Sequence, residues 1–417
     1  MNPSNKCEVL VIGAGIIGVM SALYLQAAGK SVTLLERNEI ARGASAGNAG
    51  ILAFPEIIPM AAPGVMKKAP RWLVDPLGPL SVPPAYALKI APWLWRFWRA
   101  SRPQVFKHGL KVQKAMMQLA SREMGHVAAM PELSRFISET GTLDLYDSER
   151  SFNAARKDWH EKEDAGFTFS RIGRDEIDRL QPGLASQFRH AIFTPGGLQV
   201  SDPYEFAKVI ADLVIARGAV LRKGEALRID PVGESTIVTL ANGDKIDADK
   251  VVLAGGAWSK TLATSLGNVV PLETERGYNT TLPEGAFNLT RQLYFNDHGF
   301  VVTPLSSGIR VGGAVELGGL DLAPNFKRSA AMLKKAGQFL PGMKTEGGKQ
   351  WMGFRPSMPD SLPVIGPSRA STSVIYAFGH GHLGLTQSAA TARLVTDLVS
   401  GQDTTISVDP FRASRFG

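Results

Sequence analysis

A single cysteine, Cys7, in 417 residues excludes an intramolecular disulfide, a disulfide-stapled secreted scaffold and any metal centre built from clustered cysteines. The seven histidines, at 108, 126, 160, 190, 298, 380 and 382, show no metal-ligand spacing, so no metal is expected. No run reaches the ~18 uninterrupted apolar residues of a membrane-crossing helix. The first apolar run, Val9 to Gly18, is preceded only by Lys6 and is broken by glycines, which does not read as a secretion signal. A cytoplasmic protein is the resulting expectation. Long blocks of one charge are also missing. Lys and Arg number 46 against 38 Asp and Glu, a spread-out net charge of +8. Specific nucleic-acid binding is disfavoured; attraction to an anionic small substrate, or weakly to an anionic membrane surface, fits better. There is no internal repeat and no low-complexity tract. With 44 % hydrophobic and 20 % charged residues the chain is globular. At ~100–200 residues per domain, two or three domains are expected.

What is present begins with a strand, a glycine turn, a helix and a second strand. Glu8–Ile12 (EVLVI) reads as a buried parallel strand. Val19–Ala28 is helical and stops at Gly29, and Ser31–Leu35 is a strand ending at Glu36. A small-residue loop, Ala41–Gly50, follows, and then a stretch from Pro55 to Pro92 rich in prolines and aromatics, which reads as an insertion. Helices are expected over 104–130, 151–164 and Asp175–Leu180, and strands over Gly141–Tyr146 and Gly166–Ser170. Asp202-Pro203 starts a helix that runs to Arg217 and ends at Gly218. Asn242-Gly243 marks a hairpin, and Lys250–Leu253 is a further buried strand ending in Ala254-Gly255-Gly256. Residues 271–345 alternate as an antiparallel sheet would. The fold class is therefore α/β, with a Rossmann-like dinucleotide-binding domain assembled from the discontinuous segments 1–53, 141–270 and 346–417. Segments 54–140 and 271–345 form an α+β substrate or cap domain, carrying the Pro/Trp-rich insertion 55–100.

The candidate site starts at Gly13-Ala14-Gly15-Ile16-Ile17-Gly18, a GxGxxG pattern between a strand and a helix. The first glycine permits the tight turn, the second lets the backbone approach a pyrophosphate, and the third lets helix pack on strand. The helix start offers free N–H groups to the phosphates. Glu36, at the end of the next strand, is placed to accept ribose hydroxyls and would repel a 2′-phosphate, which disfavours NADP. The alternative is a purely structural glycine turn. Spacing alone does not separate FAD from NAD.

Four blocks occur in order: Val9–Arg37, the loop Ser45-Ala46-Gly47-Asn48-Ala49-Gly50, Gly353-Phe354-Arg355-Pro356 through Asp360 to Gly366, and Gly379-His380-Gly381-His382-Leu383-Gly384. Together they resemble the FAD-dependent D-amino-acid oxidase superfamily, and within it bacterial D-amino-acid dehydrogenases, including the D-hydroxyproline type. The likeness spans nearly the whole chain. It implies FAD as cofactor, with the glycine turn, Ile16, Ile17, Glu36 and Arg37 holding the pyrophosphate and adenosine half. Ser45, Asn48, Ala49, Gly50 and Ile51 would pass the ribityl chain and flavin. Ala226 would contact adenine, and Ala254, Gly255 and Trp258 would form a second nucleotide-facing turn. Gly379, His380, Gly381, His382, Leu383, Gly384, Leu385 and Thr386 would form the turn and helix start beneath the flavin ring. A helix N-terminus there would stabilise the anionic reduced flavin by ~0.3–2 kcal/mol. Relatives with covalent flavin use a His just before the Ala49-Gly50 position or a Cys near the Arg355 position. Gly47 and Asn48 stand in the loop and neither block has a cysteine, so FAD is expected to be non-covalent.

The resemblance assigns Arg355 to the substrate carboxylate, for which a guanidinium fork is suited. An ordinary ion pair, for instance with Asp360, is the alternative. Tyr278, in Arg276-Gly277-Tyr278, is a candidate to line the substrate cavity, against a half-buried structural tyrosine. His380 and His382 are candidates beside the flavin, and no catalytic base is assigned. The implied reaction is oxidative deamination of a D-amino acid by hydride transfer from Cα to flavin N5, with electrons passed to a quinone or other acceptor. His382 and Leu385 stand where many D-alanine-type dehydrogenases have Thr and Trp, which favours D-proline or a hydroxy-D-proline. Competing readings are a sarcosine- or glycine-type oxidase using oxygen, a non-catalytic FAD-binding subunit and an NAD dehydrogenase. Leu88–Ala100 (LKIAPWLWRFWRA) suits either a lid over the active site or peripheral contact with a membrane surface, with Pro92 expected to break it. No oligomeric state is indicated.

Overall fold

The apolar run Lys6–Ile12 forms an inner strand of the first sheet, in a computed structural model that describes residues 6–65 and 80–417. Its residues 9–12 are buried on both faces, so the run is continuously apolar rather than alternating. It lies in parallel between Val32–Glu36 and Lys245–Leu253. Val220–Lys223 and Val374–Phe378 extend the parallel array at either side. Ser235–Leu240, Ala226–Val232 and Val364–Pro367 complete the eight strands in antiparallel pairings. One face, with Val9, Val11, Val252 and Ile375, packs on the helices Ile16–Ala27, Pro203–Ala216 and Gly384–Val399. The other, with Leu10, Ile12, Val251 and Val374, packs on Ser259–Ser265. Asp202 caps its helix as the sequence predicts, accepting from the Tyr204 and Glu205 N–H groups at 2.9 and 3.1 Å, worth about 1 kcal/mol.

The second sheet has nine strands. Its main path runs Lys349–Ser357, Glu273–Leu282, Gly308–Leu317, Phe300–Leu305, Gln292–Phe295, Thr142–Tyr146, His190–Thr194, Ser170–Gly173. Leu80–Ser81 adds to Gly308–Leu317. Pairing is antiparallel except at that added strand and between Gln292–Phe295 and Thr142–Tyr146. The helix Lys327–Phe339 seals it through an aromatic cluster of Phe188, Phe295, Phe300 and Phe339. Ile51–Leu52, Leu198–Val200 and Ile137–Glu139 form a small third sheet.

Segment boundaries depart from the sequence reading. Three strands of the 141–270 segment, Thr142–Tyr146, Ser170–Gly173 and His190–Thr194, belong to the second sheet, as does Lys349–Ser357 of the 346–417 segment. Conversely, the helix Pro103–Ala128 buries Val112, Met116, Leu119 and Met124 in the first domain's core. Local periodicity reports that a strand or helix forms, not which sheet it joins. The strand expected at Gly166–Ser170 lies at Ser170–Gly173, because Gly166, at φ +91°, terminates the preceding helix. Pro92 does not break its helix, which runs unbroken over Ala87–Ala100. The carbonyl that Pro92 leaves without a donor belongs to Leu88, which is 91 % exposed, so water can satisfy it. Residues 66–79 of the insertion lie outside the described residues. No helix among the described residues is long and apolar enough to cross a membrane.

Candidate active site

The two sheets share a cavity of about 870 Å³, toward the upper end of the ~300–1,000 Å³ usual for ligand sites. At one end lie Gly13, Gly15, Ile16, Ile17, Glu36, Arg37, Ala226, Ala254, Gly255 and Trp258. Ser45, Asn48, Ala49 and Ile51 line its middle stretch of loop. Tyr278, Arg355, His380, Gly381, His382, Leu383, Gly384 and Leu385 also border it. Four candidate residues, Gly18, Gly50, Gly379 and Thr386, lie behind the lining. Gly18 is where helix meets turn: a Cβ there would fall 1.8 Å from the Gly13 carbonyl oxygen. Gly13, at φ +100°, brings the two nucleotide-facing turns together, since a Cβ on it would stand 2.7 Å from the Ala254 carbonyl oxygen. Thr386 Oγ1 accepts the Ala53 N–H at 3.0 Å, tying the loop after Gly50 to the helix Gly384–Val399.

Around the glycine turn the polar groups are arranged for an anion. The helix Ile16–Ala27 starts at Gly15 with no side-chain cap. Ser45 Oγ accepts the Ile16 N–H at 3.0 Å and links the small-residue loop to it. Glu36 holds this turn itself, accepting the Ala14 and Asn38 N–H groups at 2.8 and 2.9 Å. Each carboxylate oxygen keeps a further lone pair for a ribose hydroxyl. Arg37 stacks 4.0 Å over the Trp258 ring and pairs with Glu225 at 3.3 Å. Sequence reasoning missed the residues that clamp the loop Ser45–Gly50. Arg310 donates to the carbonyls of Ala46 and Asn48, and burial lowers its pKa to about 10. Asn279 Nδ2 donates to the Gly47 carbonyl at 2.9 Å. Both come from the second sheet, so no local pattern announces them.

Arg355 lies on the strand Lys349–Ser357, directly opposite Glu275 in the antiparallel register. Its guanidinium covers Gly277, where a Cβ would fall 2.6 Å from Cζ, so a side chain there would push the guanidinium from this position. Asp360 is not its partner: both Asp360 oxygens are taken by Arg415, at 2.7 and 3.3 Å. Among the described residues Arg355 makes no hydrogen bond and no ion pair. Burial pushes its pKa down, opposed by the charge of Glu275. Tyr278 borders the cavity, but its hydroxyl is engaged in the protein. Its hydroxyl donates to Glu316 at 2.9 Å and accepts the Asn325 N–H at 3.0 Å, inside a buried group that includes the Arg276–Glu316 pair at 2.6 Å. On a strand, 276 and 278 share one face while 275, 277 and 279 share the other. Tyr278 therefore serves the domain core.

His380 is buried, its Nε2 is 2.9 Å from Thr391 Oγ1, and burial lowers its pKa to about 3. It is a neutral packing group at the cavity floor. His382 is exposed toward the cavity; desolvation by the surrounding walls and the charge of Arg355 push its pKa down, while Glu275 and Glu56 act to raise it, so it sits among these charges. Unanticipated residues complete this end. Glu56 pairs with buried Lys162 at 3.2 Å. Asp144, raised to about 6 by burial, accepts from Asn296 at 3.1 Å. Tyr294 faces the same cavity with a hydroxyl that bonds to no described residue.

A glycine-turn nucleotide cradle in a parallel sheet thus shares one cavity with a half-buried guanidinium, without a partner among the described residues, at the other sheet's edge, an arrangement that suits a dinucleotide-dependent oxidoreductase. The chain belongs to the DAO family, described as FAD dependent oxidoreductase, which matches residues 8–398. It is 34 % identical to a D-amino-acid oxidase of Bradyrhizobium diazoefficiens, over 98 % of this chain and 99 % of that one. It is 32 % identical to a D-amino acid dehydrogenase of Neisseria meningitidis, with the same coverage. Among solved structures, glycine oxidase from Geobacillus kaustophilus superposes with a TM-score of 0.76 at 21 % identity, covering 99 % of both chains. L-proline dehydrogenase from P. horikoshii gives 0.74 at 19 %, covering 99 % of this chain and 98 % of that one, a likeness of fold. The cofactor is FAD, and the residues fit it: the uncapped helix start and close glycine turn open onto one cavity that reaches Arg355.

Proposed function

We propose that the protein is a dehydrogenase that oxidises D-amino acids at the Cα–N bond. The observation that carries this reading is Arg355, a half-buried guanidinium with no hydrogen-bond or ion-pair partner among the described residues, facing the cavity that begins at the nucleotide cradle. A free carboxylate supplies the missing charge, by two parallel hydrogen bonds. The full-length relatives named for D-amino acids support the substrate class. FAD, when bound, would supply the acceptor for the hydride of the Cα–H bond. Arg355 holds the carboxylate and so fixes which hydrogen points inward. The imino product is hydrolysed to a keto acid and ammonia, or persists as a cyclic imine.

A cyclic D-imino acid, D-proline or a hydroxy-D-proline, is the substrate we favour. Tyr294, Asn296 and Glu56 offer polar partners to a ring hydroxyl in that cavity. The flavin is held without a covalent bond, since no His or Cys lies in the loop Gly47–Gly50 and Cys7 is on the strand Lys6–Ile12. Electrons pass to a quinone or similar carrier, and the exposed side chains of Leu88, Trp95 and Trp98 support peripheral contact with the membrane surface that would hold it. Anaerobic mixing with D- and L-amino acids, including both prolines and hydroxyprolines, tests this through flavin absorbance near ~450 nm. Bleaching by D-series compounds alone is expected, and Arg355→Ala should lower kcat/KM about 100-fold or more. Bleaching by sarcosine or glycine, with peroxide formed in air, would assign the oxidase reading instead.

A further inference from the structure

Glu275 is a buried carboxylate with an unusual position. Only 3 % of the residue is exposed, yet it lines the cavity, and it makes no hydrogen bond or ion pair among the described residues. It stands directly across the strand pair from Arg355. The two charges act on one another, and both act on His382, but they do not close into an ion pair. A buried carboxylate is costly to leave unpaired. Here its cross-strand neighbour is the guanidinium that our reading reserves for a substrate carboxylate.

We infer that Glu275 binds the ammonium group of the substrate, so that Glu275 and Arg355 together recognise the zwitterion. This rests on the proposed function and extends it. In an amino acid the two charged groups hang on the same carbon, a few ångströms apart. Opposed residues of an antiparallel pair have Cα atoms ~4.5–5.5 Å apart, so their side chains can engage adjacent groups of one small molecule. Gly277, two residues on and on the same face, adds no side chain that would separate them. The Glu56 carboxylate is already answered by Lys162, which leaves Glu275 as the unanswered negative charge opposite Arg355. The pair also explains selectivity: a carboxylic acid without an amine would meet an unpaired Glu275, and an amine without a carboxylate an unpaired Arg355.

The test uses the FAD-loaded enzyme and ligands that cannot be oxidised. 2-Aminoisobutyrate has no Cα–H; isobutyrate and 2-hydroxyisobutyrate replace its amine with hydrogen and hydroxyl. Dissociation constants are read from the flavin difference spectrum at one pH near neutrality. The amine should bind at least about tenfold more tightly than either analogue in the wild type. Glu275→Gln should erase that preference while binding isobutyrate as tightly or more so; Glu275→Asp should retain part of it. Equal wild-type binding of the three ligands overturns the proposal, even if the glutamine variant does not fold. A parallel change for all three in Glu275→Gln also overturns it, because Glu275 would then act only through the charge on Arg355. If none of the three ligands perturbs the wild-type flavin, while D-amino acids do not bleach it, the failure lies with the proposed function.

Discussion

Arg276 and Arg355 lie on neighbouring strands, the first buried and the second half-buried at the cavity, and have opposite fates. Arg276 is answered by Glu316 and by the carbonyls of Leu322 and Ala323; Arg355 has no hydrogen-bond or ion-pair partner among the described residues. The first is a structural charge and the second a binding charge. Glu316→Gln should therefore cost about 3–5 kcal/mol of stability, because it strands a buried guanidinium. Tyr278→Phe removes one hydrogen-bonding hydroxyl from the same group, should cost about 1 kcal/mol, and should leave KM for the substrate unchanged. Denaturant melts and steady-state kinetics check both; a raised KM in Tyr278→Phe would return the phenol to the substrate site. Of the two roles the sequence leaves open for Tyr278, its hydroxyl bonds favour the structural one; the residue types Arg-Gly-Tyr were visible but the face was not. Strand parity separates Glu275 and Gly277 from Arg276 and Tyr278, and only a fixed neighbour such as Arg355 says which face looks into the cavity. His380 adds a pH dependence. Its imidazole titrates near 6.5 when unfolded and near 3 when buried. Between those values the unfolded chain binds a proton that the native chain refuses, so stability falls as pH falls, by up to ~1.4 kcal/mol per unit. Above pH 6.5 the group contributes nothing. Between pH 7.5 and 5, the wild type should lose about 2 kcal/mol more than His380→Gln in urea unfolding. Equal losses would place the acid sensitivity elsewhere.

The helix Ala87–Ala100 shows how one element can meet two sequence readings at once. Ile90, Trp93 and Phe97 turn inward, Trp93 stacked on Phe97 with ring centres 5.3 Å apart, and pack near Leu317 of the second sheet. Leu88, Trp95 and Trp98 turn outward, 91 %, 52 % and 43 % exposed. Arg99 and Arg102 lie over Trp95 and Trp98 at 4.9 and 5.0 Å. Exposed indoles with basic neighbours match the interfacial layer of an anionic bilayer. The double variant Trp95→Ser, Trp98→Ser should lose flotation with anionic liposomes and keep its turnover with a soluble dye acceptor. A wild-type protein that stays wholly soluble in that assay removes the membrane-facing role and leaves the inner, packing face. The aromatic and basic content was plain in the sequence; the partition between faces follows from the 3.6-residue period once Trp93 is known to be inside. The glycine turn was legible for a stronger reason. Gly18 is demanded by crowding against the Gly13 carbonyl within a single strand-turn-helix unit, and such a local steric demand is written in the residues themselves, whereas the close approach of Gly13 to Ala254 is not.

At the scale of the molecule, what the sequence leaves unwritten is how the pieces assemble. Thr142–Tyr146 reads as a strand, but its place beside Gln292–Phe295 depends on an edge formed 150 residues later in the chain. The same long-range assembly gives the cavity its character, because its walls come from both sheets. Asn279 and Arg310 of the second sheet hold the loop Ser45–Gly50 of the first domain. A ligand filling such a cavity binds only the assembled native state, and therefore stabilises it by RT ln(1 + [L]/Kd), about 4 kcal/mol at a thousandfold excess over Kd. If the flavin is held by these contacts alone, stripping it should lower Tm, and adding FAD back should raise Tm in proportion to the logarithm of its concentration. Asn279→Ala and Arg310→Ala should weaken that response, since they release one and two loop carbonyls that no other described side chain holds. Acid precipitation of the holoenzyme should leave the polypeptide colourless and the supernatant yellow. A yellow pellet would mean a covalent link, and with it a melting temperature indifferent to added FAD.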